Sequence, residues 1–168
     1  MGIVNTILAR VVAMALLGSS AAFAQIKVEK SNNWLLDAPD DKERFKRIEN
    51  MFGGYSGSMV ETANRYSNTF DAIAEGNFDL AVYHWKKLKQ AIEAGNLRRP
   101  GRESNAIDVF LSGPFKPLLT ALESKDSAKS KEAFLAARDA CIKCHESERV
   151  PFMNDQALFR RTANFPLK

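Results

Sequence analysis

Apolar residues recur at steps of three and four along almost the whole of residues 40–148. That spacing places them on one side of a 3.6-residue helix, whereas a half-buried strand alternates every second residue. Phe45, Ile48, Met51/Phe52 and Tyr55 form the first series, and Met59, Ala63, Tyr66, Phe70 and Ile73 the second. Phe78, Ala81, Trp85, Leu88 and Ile92 form a third, and Ile107, Phe110, Leu111, Phe115, Leu118 and Leu122 a fourth. Phe134, Ala137, Cys141, Cys144 and Glu148 share the face of a last helix. The fold class expected is therefore all-α, with each helix burying one stripe.

The breaks between these series carry ordinary stop and start signals. Asp37 or Asp40 can cap a first helix beginning near Pro39. Gly53, Gly54 and Gly57 suggest a break, with Ser58-Met59-Val60-Glu61 as a capping box opening the next helix; one continuous helix over 40–74 is the alternative. Glu75-Gly76-Asn77 reads as a turn. The following helix is expected over about 78–94, stopping at Gly95. Residues 96–103 make a basic loop with Arg98, Arg99 and Arg102. A helix over 104–124 is expected to kink at Gly113-Pro114 or at Pro117. The last main helix starts near Ser127. The tail after it, with Pro151, Phe152, Met153, Leu158, Phe159 and Phe165, is too apolar to stay free and is expected to pack against the body.

Residues 1–24 stand apart. They hold one charged residue, Arg10, then the apolar run Val11 to Leu17, small residues and Ala22-Phe23-Ala24. This pattern reads as a secretory signal peptide cleaved before Gln25, and so as export to the periplasm. The run is shorter than the roughly 20 residues a membrane span needs. No later segment is apolar enough to span, so the mature chain, 25–168, reads as a single soluble domain. Cleavage lowers the net charge of +4 by one. No long basic block or nucleic-acid motif is present, so nucleic acid is not an expected partner.

The two cysteines of the chain, Cys141 and Cys144, both belong to Cys141-Ile142-Lys143-Cys144-His145. C-x-x-C-H is the attachment pattern of a c-type haem. Two thioethers must reach two vinyl groups on one porphyrin edge, and the adjacent imidazole must lie beneath the iron. Positions three and four apart share a helix face, so one helical turn meets all three demands. A redox C-x-x-C belongs in a βαβ setting, and a zinc site needs four donors; the sequence offers neither. His84, mid-helix, reads as a structural histidine. One covalently attached haem c is expected, with His145 as an axial iron ligand.

A haem motif ending the last helix of an all-helical chain resembles the class II cytochromes c, the cytochrome c prime family and its low-spin, Met-ligated relatives. The resemblance covers about residues 40–149. It is strongest over Arg138-Asp139-Ala140-Cys141-Ile142-Lys143-Cys144-His145-Glu146-Ser147-Glu148-Arg149, where Arg149 stands four residues after the histidine, as is common in that family. The chain departs from the pattern in having Glu148 where an aromatic is frequent, extra sequence before the first core helix, and a tail over 150–168. The resemblance implies an antiparallel four-helix bundle, here with an extra N-terminal helical segment and a C-terminal tail, and haem between helices near one end.

The second axial position separates the functions open to such a chain. A methionine there favours electron transfer, and an open site leaves room for a gas. Counting residues around an antiparallel bundle sets the motif opposite about 57–61, where Met59 lies; the low-spin relatives likewise take a methionine from the first core helix. Met51, Met153 or no ligand are the alternatives. Gly53, Gly54 and Gly57 could admit a porphyrin face to the backbone. Arg98, Arg99, Arg102 and Arg149 are candidates to pair with propionates. The expected function is periplasmic one-electron transfer between redox partner proteins. The alternative is a five-coordinate gas-binding or sensing protein, with Ile48 or Val60 over the open face. No catalytic constellation points to an enzyme. A homodimer, or a subunit of a larger complex docked through the tail, is compatible with the first reading.

Overall fold

The computed structural model describes residues 31–165. The signal-peptide reading of residues 1–24 lies outside these. The chain divides into two units, Met1–Pro39 and Asp40–Lys168. In the described part of the first, Asn33 Oδ1 accepts from the N–H groups of Leu35 and Leu36, both at 3.0 Å, and Asp37 Oδ1 accepts from Ser31 N at 2.6 Å. These side chains hold a local turn.

The second unit is all-helical among the described residues, as the periodicity requires. Helix α1 spans Asp41–Phe52 and is capped by Asp40, which accepts from Glu43 N at 2.7 Å. The chain then turns at Gly53, with φ 63°, and α2 runs Tyr55–Glu75. A single helix over 40–74 is thereby ruled out. The capping box is also absent: α2 begins before Ser58, and the Ser58 hydroxyl is buried without a partner. The glycines make the break unaided. A Cβ on Gly57 would meet the Phe52 carbonyl oxygen at 2.5 Å, so the α1–α2 corner closes only around a residue without one. This break also defeats the expected buried face of the first series. Once α1 is detached from α2 in register, it buries no residue, and Phe45, Met51 and Phe52 are exposed.

Helix α2 ends at Gly76, whose left-handed backbone (φ 80°) lets Asn77 N bond Ala72 O at 2.8 Å. Asn77 then caps α3, Phe78–Arg98. The turn is short, so α2 and α3 pack antiparallel along their length. Gly95 was expected to stop α3, but it sits buried inside it. Its missing side chain lets α3 approach α2, since a Cβ there would lie 3.1 Å from both Ser58 Cβ and a Tyr55 ring carbon.

After Arg98 the chain is irregular, with a 3-10 turn over Pro100–Arg102 and a wide π-turn over Ala106–Leu111. Helix α4, Phe115–Glu123, starts behind Pro114, so the chain breaks at Gly113-Pro114 and not at Pro117. Trp85 of α3 fastens this region: its indole N–H donates to Phe115 O at 2.9 Å and the two rings stack at 5.5 Å. Helix α5, Ser127–Ser147, is capped by Asp126. Its Phe134 is fully buried and meets Tyr66 at 4.7 Å and Phe70 at 5.5 Å between ring centroids.

The tail forms a 3-10 turn, Pro151–Asn154, and a short helix α6, Ala157–Arg161. It packs as its composition demands. Phe159 and Thr162 are buried, Phe165 stacks on Phe70 at 4.5 Å, and the Tyr66 hydroxyl bonds Thr162 Oγ1 at 3.0 Å. A tail held in this way contributes to the core through Phe159, Thr162 and Phe165, while Phe152 and Met153 stay exposed. Among the described residues, no helix is long and apolar enough to cross a membrane.

Candidate haem-binding site

Cys141, Cys144 and His145 lie on the last two turns of α5 and are all half-buried. The two cysteines are free thiols. Burial pushes the Cys141 thiol up to about 12, with Cys144 adding to the effect and Arg138 opposing it. Burial raises Cys144 as well, assisted by Glu148 and opposed by Arg102. Both sulfurs therefore stay protonated at neutral pH.

Tyr55 and Tyr66 of α2 accompany the two cysteines. Burial pushes the Tyr55 hydroxyl up to about 12, and the charges of Cys144 and Glu148 add to this. Tyr66 is raised by burial too, and Cys141 contributes. Arg102 links the Tyr55 ring to Glu148 at the end of α5, while Tyr66 packs on Phe134 earlier in that helix. This order makes α2 antiparallel to α5. Residues 55, 59, 62 and 66 follow helical spacing on one face, so Met59 falls between the two tyrosines along α2. It is half-buried and packs against the core.

The other methionines are placed differently. Met51 is 72% exposed on α1. Met153 is 39% exposed in the tail, with its sulfur 3.7 Å from Gln156 Nε2. Val60, a candidate cover for an open iron face, is 64% exposed and points away from the core.

The arginines expected near propionates are engaged within the chain. Arg98 donates to Phe52 O at 2.9 Å and Arg99 to Glu49 at 3.0 Å. Gly54 lies against the Arg99 guanidinium at this same corner. Arg102 pairs with Glu148 at 2.6 Å and rests over the Tyr55 ring, 5.6 Å from its centroid. Arg149 is exposed, and its backbone is left-handed with φ 60°. Its N–H bonds Glu146 O at 3.0 Å, and Val150 N bonds His145 O at 2.9 Å. This pair of bonds ends α5 and reverses the chain.

No family model, curated protein or solved structure matches this chain.

The reversal at Arg149 brings the tail back over His145, a contact that sequence reasoning missed. His145 Nδ1 lies 2.7 Å from Asn154 Oδ1, and Asn154 Nδ2 donates to Ile142 O at 3.3 Å. The second bond orients the amide with its oxygen toward the ring. An amide oxygen only accepts, so Nδ1 carries the proton and Nε2 keeps its lone pair. Phe159 stands edge-on to the ring at 5.7 Å. His145 therefore presents the donor atom that an iron requires, beside two thiols at attachment spacing, and the residues fit a covalent haem.

His84, by contrast, is occupied structurally. Its Nδ1 lies 3.2 Å from Arg65 Nη1, and desolvation followed by the Arg65 charge lowers its pKa. A groove of about 680 Å³ between α4 and the first half of α5, lined by Lys116, Thr120, Lys129 and Glu132 among others, contains none of the motif residues.

Proposed function

We propose that this protein is an exported mono-haem c-type cytochrome that carries single electrons between redox partners in the periplasm. The observation that carries this reading is the triad on one turn of α5: two half-buried thiols and a histidine whose Nε2 is left free by its bond to Asn154. When bound, haem supplies a one-electron Fe(III)/Fe(II) couple. Cys141 and Cys144 would hold the group through two thioethers, each made by addition of an S–H to a vinyl group, which needs no leaving group and no oxidant. His145 would offer Nε2 to the iron, and Met59 of α2 is the candidate to offer a thioether on the other side.

The fold belongs to the proposal at its finer level. The four long runs, α2, α3, residues 103–123 and α5, form an antiparallel four-helix bundle of the class II cytochrome c kind. α1 is the extra N-terminal segment. Residues 1–24 are the signal peptide, removed before Gln25.

The test is the absorption spectrum of the purified mature protein, oxidised and reduced, with carbon monoxide added to the reduced form. Haem that stays on the chain under denaturing conditions, and is lost when Cys141 and Cys144 become serine, supports attachment. Low-spin bands indifferent to carbon monoxide support a Met-ligated carrier, and Met59→Ala should then turn the spectrum high-spin and gas-sensitive. A wild-type protein that is already high-spin and binds the gas moves the reading to gas binding. A chain without covalent haem sinks the proposal.

A further inference from the structure

We propose that Asn154 is a positioning residue for the axial histidine. Its side-chain oxygen holds the Nδ1 proton of His145 and so sets the tautomer, the ring orientation and the donor strength of the imidazole. The inference rests on the haem reading above.

Three observations carry it. The contact is short, 2.7 Å, and its acceptor is oriented by a second bond from the same amide to Ile142 O. Asn154 is half-buried, in a turn that the α5 reversal and Pro151 fix in place. The ring of Phe159, whose backbone oxygen accepts from Arg138 at 3.1 Å, stands perpendicular to the imidazole with 5.7 Å between centroids. The imidazole therefore contacts two parts of the tail, Asn154 and Phe159.

The chemical consequence follows from what sits on Nδ1. A bonded Nδ1–H makes Nε2 a better donor, and the effect grows from no acceptor, through a neutral amide, to a carboxylate. A better donor stabilises the ferric state and lowers the reduction potential. An amide sets an intermediate value, and the residue at 154 becomes the control for it.

The test compares the holoprotein with Asn154→Leu and Asn154→Asp by potentiometric titration, together with solvent exchange of the His145 Nδ1 proton by NMR. The potential should rise in the leucine variant and fall in the aspartate variant. The Nδ1 proton should exchange roughly tenfold faster in the leucine variant than in wild type. Asn154→Gln, which keeps an amide, should move the potential least. Shifts of the same sign in both main variants, or wild-type exchange in the leucine variant, would overturn the assignment and leave Asn154 as a packing residue. Wild-type protein lacking covalent haem would fail the haem reading itself, an outcome distinct from either.

Discussion

At the scale of single residues, environment decides chemistry that side-chain identity leaves open. Among the described methionines, Met59 is the one packed against the core, on the α2 face between Tyr55 and Tyr66, while Met51 and Met153 are exposed. Tyr55 also makes a measurable prediction. Its hydroxyl is held neutral to about 12 by burial, and it donates to Asn96 Oδ1 at 3.2 Å. In the unfolded chain a tyrosine ionises near about 10. Between these values the unfolded state gives up a proton that the folded state keeps, so stability falls as pH rises and is fully present below the lower value. Melting temperatures measured from neutral pH to about 12 should show this decline, and Tyr55→Phe should make it shallower. An identical slope in the variant would remove Tyr55 as a contributor.

At the scale of elements, helix ends govern the site more than helix middles do. Arg149 occupies the left-handed position after α5, where glycine is the usual occupant. A side chain there costs roughly 1–2 kcal/mol. Arg149→Gly should therefore stabilise the protein by about 1 kcal/mol, partly offset by the entropy of a more flexible unfolded chain. A denaturant midpoint that fails to rise would show that the guanidinium makes a compensating contact. The π-turn over Ala106–Leu111 is a further irregularity, and it buries Ala106 and Phe110 where a straight helix would continue. Next to it, Asn105 Nδ2 donates to Glu148 at 2.8 Å and ties the segment to the end of α5.

At the scale of the whole molecule, the tail closes the core. Phe134 lies among Tyr66, Phe70 and Phe165, and so joins α5, α2 and the tail. Ending the chain at Val150 would remove Phe159, Thr162 and Phe165, leave the Tyr66 hydroxyl without its partner, and free His145 from Asn154. Losing one buried phenylalanine costs about 3–5 kcal/mol, and the orphaned hydroxyl adds about 1–3 kcal/mol. The truncated protein should unfold at a much lower temperature and have a disturbed haem spectrum. A docking segment would instead leave both unchanged, so calorimetry and absorption together separate the two roles.

The local features of this protein were legible in its residues. Helical periodicity reports each helix by itself, the Asp40 cap acts within three residues, and the C-x-x-C-H motif needs only one turn. What the residues concealed depends on where chain segments meet. The exposed face of α1, the burial of Gly95 inside α3, the pairing of Arg102 with Glu148 and the bond from His145 to Asn154 all follow from how helices dock after two sharp corners, at Gly53 and at Arg149. Spacing can show that His145 stands beside two cysteines. Only the reversal of the chain after α5, which carries Asn154 back across the helix end, decides which ring nitrogen holds the proton and which is left for a metal.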